Sequence, residues 1–175
     1  MICAAGLHVI VMGVSGSGKT TVGQALASSL GFEFIEADAF HPAANIERMT
    51  AGIPLTDEDR EPWLAALVDV VRERHDRGIG TVLACSALRR AYRDRLRTAV
   101  PQEESFVVAL ESNAETLRSR LETRRGHYMP ASLLESQLAT LEPLERDESG
   151  ATLDTTRPQE LVIADALSAA RSRTR

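Results

Sequence analysis

The chain has 175 residues and a formal charge of −5 from 20 basic and 25 acidic side chains, which is the size of one α/β domain and too short for two full ones. A hydrophobic share of 43% supplies a real core and excludes wholesale disorder, while the acidic balance argues against broad nucleic-acid binding, which needs clustered positive charge. Cys3 and Cys85 make neither a disulfide framework nor a four-ligand zinc site, and the run Met1 to Val14 has no basic flank and is too short to span a bilayer, so a reduced, cytoplasmic protein without a membrane partner is expected.

Leu7-His8-Val9-Ile10-Val11-Met12, closed by Gly13, reads as a strand buried on both faces. From Lys19 onward, Val22, Ala25, Leu26, Ser29 and Leu30 recur at helical spacing with one inward stripe, and Gly31 stops the helix. Phe32 to Ile35 is a second strand, ending in Glu36-Ala37-Asp38, and a short helix follows around Asn45 to Thr50 before the break at Gly52 and Pro54. Thr56-Asp57-Glu58-Asp59 has capping-box spacing, and Leu64, Leu67, Val68 and Val71 continue a helix to Gly78, with Pro62 setting its first turn apart. Thr81 to Cys85 is a third strand, followed by a helix marked by Leu88, Tyr92 and Leu96. Ser105 to Leu110 is a fourth strand, followed by a helix through Leu117 and Leu121. Arg125 to Pro130 reads as a polar loop, then a helix to about Leu141, a weaker β signal from Ala151 to Asp154, and a last helix from about Pro158 to Ala170. Strands alternating with helices predict βαβ crossovers and a parallel, helix-covered sheet. The acidic stretch Glu142 to Glu148 reads as a solvated loop, and Arg171 to Arg175 as a fraying tail.

Gly13-Val14-Ser15-Gly16-Ser17-Gly18-Lys19-Thr20 fits G-x-x-x-x-G-K-[ST], with a strand before it and an amphipathic helix after it. Glycines let backbone N–H groups converge on one point, and the helix N-terminus adds partial positive charge there. Lys19 is placed to reach the β- and γ-phosphates and the Thr20 hydroxyl to ligate Mg²⁺. The loop predicts nucleoside triphosphate binding without fixing the reaction. A motor ATPase needs an acidic strand end, but the third strand ends in Cys85-Ser86. A GTP switch needs Asn-Lys-x-Asp, and neither Asn45 nor Asn113 has that neighbourhood. A kinase of small metabolites fits best.

Asp38 stands at the carboxyl end of the second strand, where ligands bind in such sheets and where an acceptor hydroxyl needs a group to take its proton. His41 follows as a candidate substrate contact, although a lone histidine is more often structural. Arg118, Arg120, Arg124 and Arg125 crowd one helix end before Gly126-His127-Tyr128-Met129-Pro130, where guanidinium forks suit triphosphate oxygens and a flap can exclude water. Arg89, Arg90, Arg93, Arg95 and Arg97 form a second basic run, most of it solvent-facing, with one or two members placed to reach an anionic substrate.

Together several segments resemble the gluconokinase family. They are the phosphate loop; Asp38-Ala39-Phe40-His41-Pro42 with Asn45; Met49-x-x-Gly52-x-Pro54-Leu55-x-Asp57-x-Asp59-Arg60-x-Pro62-Trp63-Leu64; Ala84-Cys85-Ser86-Ala87-Leu88-Arg89 with Tyr92-Arg93-Asp94; Arg124-x-Gly126-His127-Tyr128-Met129-Pro130; and Leu133-Leu134-x-Ser136-Gln137 with Leu141-Glu142-Pro143. The resemblance implies an α/β P-loop kinase fold in a single domain over 1–175. That fold has a five-stranded parallel sheet with helices on both faces, a substrate-binding helical region at about 38–62 and a lid at about 124–140. It implies transfer from ATP, with Mg²⁺, to D-gluconate, giving 6-phospho-D-gluconate, and commonly a homodimer. By residue, it implies that Lys19, Asp38 and Arg124 are catalytic. It places Gly13 to Thr21, Arg120, Arg124, Arg157 and Pro158 on the nucleotide and Thr20 on the metal. It points to Arg48 and Arg93 as carboxylate anchors, with His41 and Arg89 as further acceptor contacts. Glu36 stands where the family usually has aspartate, Tyr128 where it often has phenylalanine, and Arg48 and Arg89 where lysine is frequent. A shikimate-kinase-like enzyme, a nucleoside monophosphate kinase and a non-catalytic ATP-binding module are the competing readings.

Overall fold

In the computed structural model, which describes residues 6–123 and 133–173, five strands form one parallel sheet. They are β1 (His8–Met12), β2 (Glu33–Glu36), β3 (Thr81–Ala84), β4 (Ser105–Glu111) and β5 (Gly150–Asp154), in the order β2-β3-β1-β4-β5. Between and around them run α1 (Lys19–Leu30), α2 (Ala43–Thr50), α3 (Asp57–Asp76), α4 (Arg90–Arg97), α5 (Ala114–Thr123), α6 (Leu133–Thr140) and α7 (Gln159–Arg171). The strand period of two sends alternate β1 side chains to opposite faces. Val9 and Val11 pack with Val22 and Leu26 of α1 and Val162 and Ala166 of α7. Ile10 and Met12 pack on the other face with Trp63, Leu67 and Val71 of α3 and Leu96 of α4. All five β1 residues are buried, as a strand covered by helices on both faces requires.

Because β1 pairs with β3 on one side and β4 on the other, the chain reverses its winding direction at the carboxyl end of β1. Ligands bind at that crevice in open α/β sheets. A third apolar cluster caps this rim, with Val14, Leu88, Leu117 and Leu134 buried and Leu121, Leu138 and Leu141 packed on them. It fastens α5 and α6 to the loop that follows β1.

Two local expectations change. Pro62 does not set the first turn of α3 apart; one helix runs through it. The start is fixed by a complete capping box, with the Thr56 hydroxyl accepting from Asp59 N–H and the Asp59 carboxylate accepting from Thr56 N–H. Trp63 and Leu64 then bury themselves just after the proline, so tertiary packing outweighs the one missing backbone bond. Nor is 142–148 simply a solvated loop: Glu145 and Asp147 pair with Arg90, and Glu148 is fully buried against Arg93. The basic run on α4 needs counter-charges more than it needs water, and the acidic stretch supplies them.

His8, far from this rim, sets an acid limit on stability. Its ring is buried with Nδ1 2.7 Å from the Thr81 hydroxyl. Burial first, then the charge of His75, pulls it down from 6.5 to about 3. The unfolded chain therefore binds the extra proton first, and folding stability declines as pH falls from about 6.5 towards about 3. Urea unfolding at stepped pH is expected to show this decline, up to about 1.4 kcal/mol per pH unit from this one group. His8→Val is expected to flatten the decline; an unchanged slope in that variant would remove His8 as its cause.

Candidate active site

The loop between β1 and α1 is shaped by its glycines. Gly13 has φ of 150°, and a Cβ there would lie 2.6 Å from the Ser17 hydroxyl and 2.8 Å from the Leu110 carbonyl. Gly18 opens α1 in the left-handed conformation, with no side chain capping the helix and no acidic residue in its first turn. The helix N-terminus thus keeps its partial positive charge for an anion. Lys19 rests its ammonium on the Val14 carbonyl at 3.1 Å. The Thr20 hydroxyl donates to Glu36 at the end of β2 across 2.7 Å.

That last pair tests whether the residues suit Mg²⁺. A hydroxyl and a carboxylate side by side are hard oxygen donors of the kind Mg²⁺ takes, and Glu36 reaches the threonine despite being the longer acid. Among the described residues no group of three or more His, Cys, Asp or Glu gathers as a cage.

Two cavities flank the loop. The first is lined by Gly16, Ser17, Gly18 and Thr21 together with Arg120 and Arg157. Arg120 donates to the Thr155 carbonyl at 2.6 Å and to the Gly16 carbonyl at 3.4 Å, so it ties the phosphate loop to the segment after β5. Arg157 pairs with Asp165 of α7 at 2.6 Å. Thr21, Arg120 and Arg157, which the sequence reading assigns to the nucleotide, line this one cavity, together with Thr155 and Gln159, which it did not name. Pro158 occupies the cap position of α7 and is not among the lining residues of this cavity.

The second cavity is the narrower of the two and holds Ser15, Lys19, Asp38, His41, Arg60 and Gln137 among its walls. Asp38 stands in a 3₁₀ turn, Ala37–Phe40, that follows β2 directly. Trp63 fixes that turn in two ways: its buried Nε1–H donates to the Ala37 carbonyl at 2.8 Å, and its indole stacks on His41 at 4.3 Å between ring centres. Burial first, partly countered by Asp38 and reinforced by Arg60, pulls His41 below the ordinary histidine value. At neutral pH it is a neutral ring. Arg60 in the first turns of α3 donates to the Leu55 carbonyl at 2.6 Å and to the Tyr92 hydroxyl at 3.3 Å, and its guanidinium lies 5.4 Å from the Tyr92 ring centre. Tyr92 donates in turn to Asp57 in a short hydrogen bond. Beneath the cavity Cys85 is buried, which pushes its thiol up to about 12, so it is inert as a nucleophile.

The predicted acceptor arginines are not brought into this cavity. Arg93 is the clearest correction: it is 0% exposed and every arm is occupied. Two nitrogens grip Glu148 at 2.7 Å each, and the Ala87, Glu142 and Pro143 carbonyls take the remaining donors. A guanidinium so committed is a structural brace, and it holds the bend after β3, where Ala87 has φ of 43°. Arg48 sits 3.5 Å from Asp59 and Arg89 2.7 Å from Asp57; neither lines the cavity. Arg124 lies outside the described residues. Arg60, which does line it, was overlooked, though the sequence carries a signal: it shares a helix face with Trp63 and Leu64 at i+3 and i+4.

Residues 9–144 match a family model described as an AAA domain. A gluconokinase of Gluconobacter oxydans is 54% identical over 141 residues, covering 80% of this chain and 78% of its own length. Among solved structures, an unliganded sugar kinase from Janibacter matches with a TM-score of 0.88 at 54% identity, covering 93% of this chain and 92% of its own. A gluconokinase from Sinorhizobium meliloti matches with a TM-score of 0.85 at 42% identity, covering 95% and 93%. The five-stranded sheet with its phosphate loop is the P-loop kinase fold.

Proposed function

The chain belongs to the gluconokinase family, and on that premise we propose that it transfers the γ-phosphoryl group of ATP to the 6-hydroxyl of D-gluconate, giving 6-phospho-D-gluconate and ADP. One observation carries the reading: a single cavity beside the phosphate loop gathers an ammonium (Lys19), a carboxylate (Asp38) and a guanidinium (Arg60). A polyol that ends in a carboxylate needs that set, with one group for the incoming phosphoryl, one for the attacking hydroxyl and one for its negative end.

The loop amides and the α1 N-terminus hold the triphosphate tail. Lys19 follows the charge on the transferring group. Asp38 orients the attacking hydroxyl and takes its proton as the new O–P bond forms and the bond to ADP breaks. Arg120 and Arg157 flank the nucleotide, and the family resemblance assigns Arg124, in the segment at about 124–140, to the phosphates. Thr20 and Glu36 would hold Mg²⁺, which would supply charge neutralisation at the phosphates. We extend the proposal to one kinase domain over 1–175 with an acceptor-binding region at about 38–62, a homodimer and a cytoplasmic setting, as the sequence resemblance implies. No helix among the described residues is long and apolar enough to cross a membrane.

An acceptor screen with Mg·ATP in a coupled ADP assay tests the reaction. D-gluconate stimulates ADP release, whereas shikimate, AMP and D-glucitol do not; no response to gluconate between about pH 6 and pH 9 would reject the assignment. Arg60→Gln is expected to raise the KM for gluconate about tenfold to a hundredfold, the loss of a charge-assisted hydrogen bond, with the KM for ATP little changed. An unaltered gluconate KM would take the carboxylate away from Arg60.

A further inference from the structure

We propose that Gln137 is an acceptor-specificity residue whose carboxamide grips the phosphate loop with its oxygen and presents its amide hydrogens to the sugar acid, an inference that rests on the reading of the chain as a gluconate kinase.

Ser15 N–H donates to Gln137 Oε1 at 2.7 Å, a contact between residues 122 positions apart. Phosphate-loop amides are the donors a nucleotide needs, yet this one is taken by a side chain of α6. The linings explain why. Gly16, Ser17 and Gly18 face the nucleotide chamber, whereas Ser15 faces the acceptor cavity. Ser15 and the three residues after it therefore border different cavities.

A carboxamide is planar, so pinning its oxygen also fixes where its two N–H donors point. Gln137 is half-buried and lines the same cavity as Asp38, His41 and Arg60. Asp38 as a carboxylate only accepts, so a hydroxyl that donates to it keeps its own lone pairs unmet. Gln137 supplies the complementary donor.

The helix that carries Gln137 is held rigidly enough to do this. Leu134 at i−3 and Leu141 at i+4 share its face, and both pack with Val14 and Leu88 in the apolar cluster that caps the rim. Val14 is the residue before Ser15, so packing and hydrogen bond locate the same two segments against each other.

Two substitutions separate the two ends of the side chain. Gln137→Glu keeps an oxygen for Ser15 N–H and removes both donors, whereas Gln137→Ala removes both ends. In steady-state assays with Mg·ATP and gluconate, Gln137→Glu is expected to raise the gluconate KM about tenfold to a hundredfold while the ATP KM stays within about twofold. Gln137→Ala is expected to raise the gluconate KM at least as far. A gluconate KM within about twofold of wild type in the Glu variant overturns the proposal, and so does an ATP KM that climbs in step with it, which marks a purely structural contact. Wild-type turnover of gluconate judges the family reading by itself. The ratio of variant to wild type, on whichever acceptor the wild type uses, judges Gln137.

Discussion

Replacing Asp38 with asparagine is expected to lower kcat by a factor of about 10²–10⁴ and to leave the KM for ATP within about twofold. The substitution is nearly isosteric, so the turn Ala37–Phe40 keeps its shape. That turn is held from outside by the Trp63 indole N–H on the Ala37 carbonyl and by the stacking of Trp63 on His41, neither of which asparagine disturbs. What is lost is a group able to accept the proton released when the acceptor oxygen bonds to phosphorus. Because Asp38 lines the cavity proposed for the acceptor and not the one proposed for the nucleotide, the loss should fall on turnover and spare ATP. A variant with kcat within about threefold of wild type would strip Asp38 of this role, since general-base contributions run far above that.

Glu148→Leu is expected to destabilise the fold by about 3–5 kcal/mol, because it strands a buried guanidinium without its counter-ion. Both side chains of the Arg93–Glu148 pair are fully buried, and Arg97 adds a second contact to the same carboxylate at 2.9 Å. Burial alone would raise the Glu148 carboxyl. Hydrogen bonds from Arg93 and the Glu145 N–H, with the charges of Arg93 and Arg97, outweigh it and hold the group down at about 2. The pair's contribution is therefore complete above about pH 4.5 and drains away as pH falls towards about 2. The companion variant Arg93→Met/Glu148→Leu is expected to recover part of the loss, as exchanging a whole buried pair for apolar groups often does. Urea unfolding at neutral pH reads all three proteins; a Glu148→Leu variant within about 1 kcal/mol of wild type would contradict the assignment. Turnover should suffer too, for Arg93 holds the Ala87 carbonyl, and the neighbours of Ala87 on either side, Ser86 and Leu88, line the acceptor cavity.

The phosphate loop was readable because its chemistry is local: eight consecutive residues carry it, bracketed by a strand and a helix whose periods differ. The place of Asp38 on the wall of a cavity beside that loop was readable because strand ends in parallel sheets point to ligand crevices. The arginines were not. The family resemblance assigns Arg48, Arg89 and Arg93 to the acceptor, whereas their acid partners Asp59, Asp57 and Glu148 show only in the fold. Arg93 finds its acid 55 positions away, across a fold that sequence spacing does not measure. The stretch at 142–148 and the basic run on α4 each looked exposed and unmatched, and each proves to be the other's counter-charge. Gln137 was quoted only as part of a motif. A neutral side chain gives no charge signal, and its meaning appears only when α6 packs against the loop.

The two chambers meet at the phosphate loop yet draw on different residues of it. Ser15 and Lys19 look one way, and Gly16 to Gly18 with Thr21 look the other. On the proposed reading each reactant would have a cavity of its own, with the phosphate loop as the partition across which the phosphoryl group would pass.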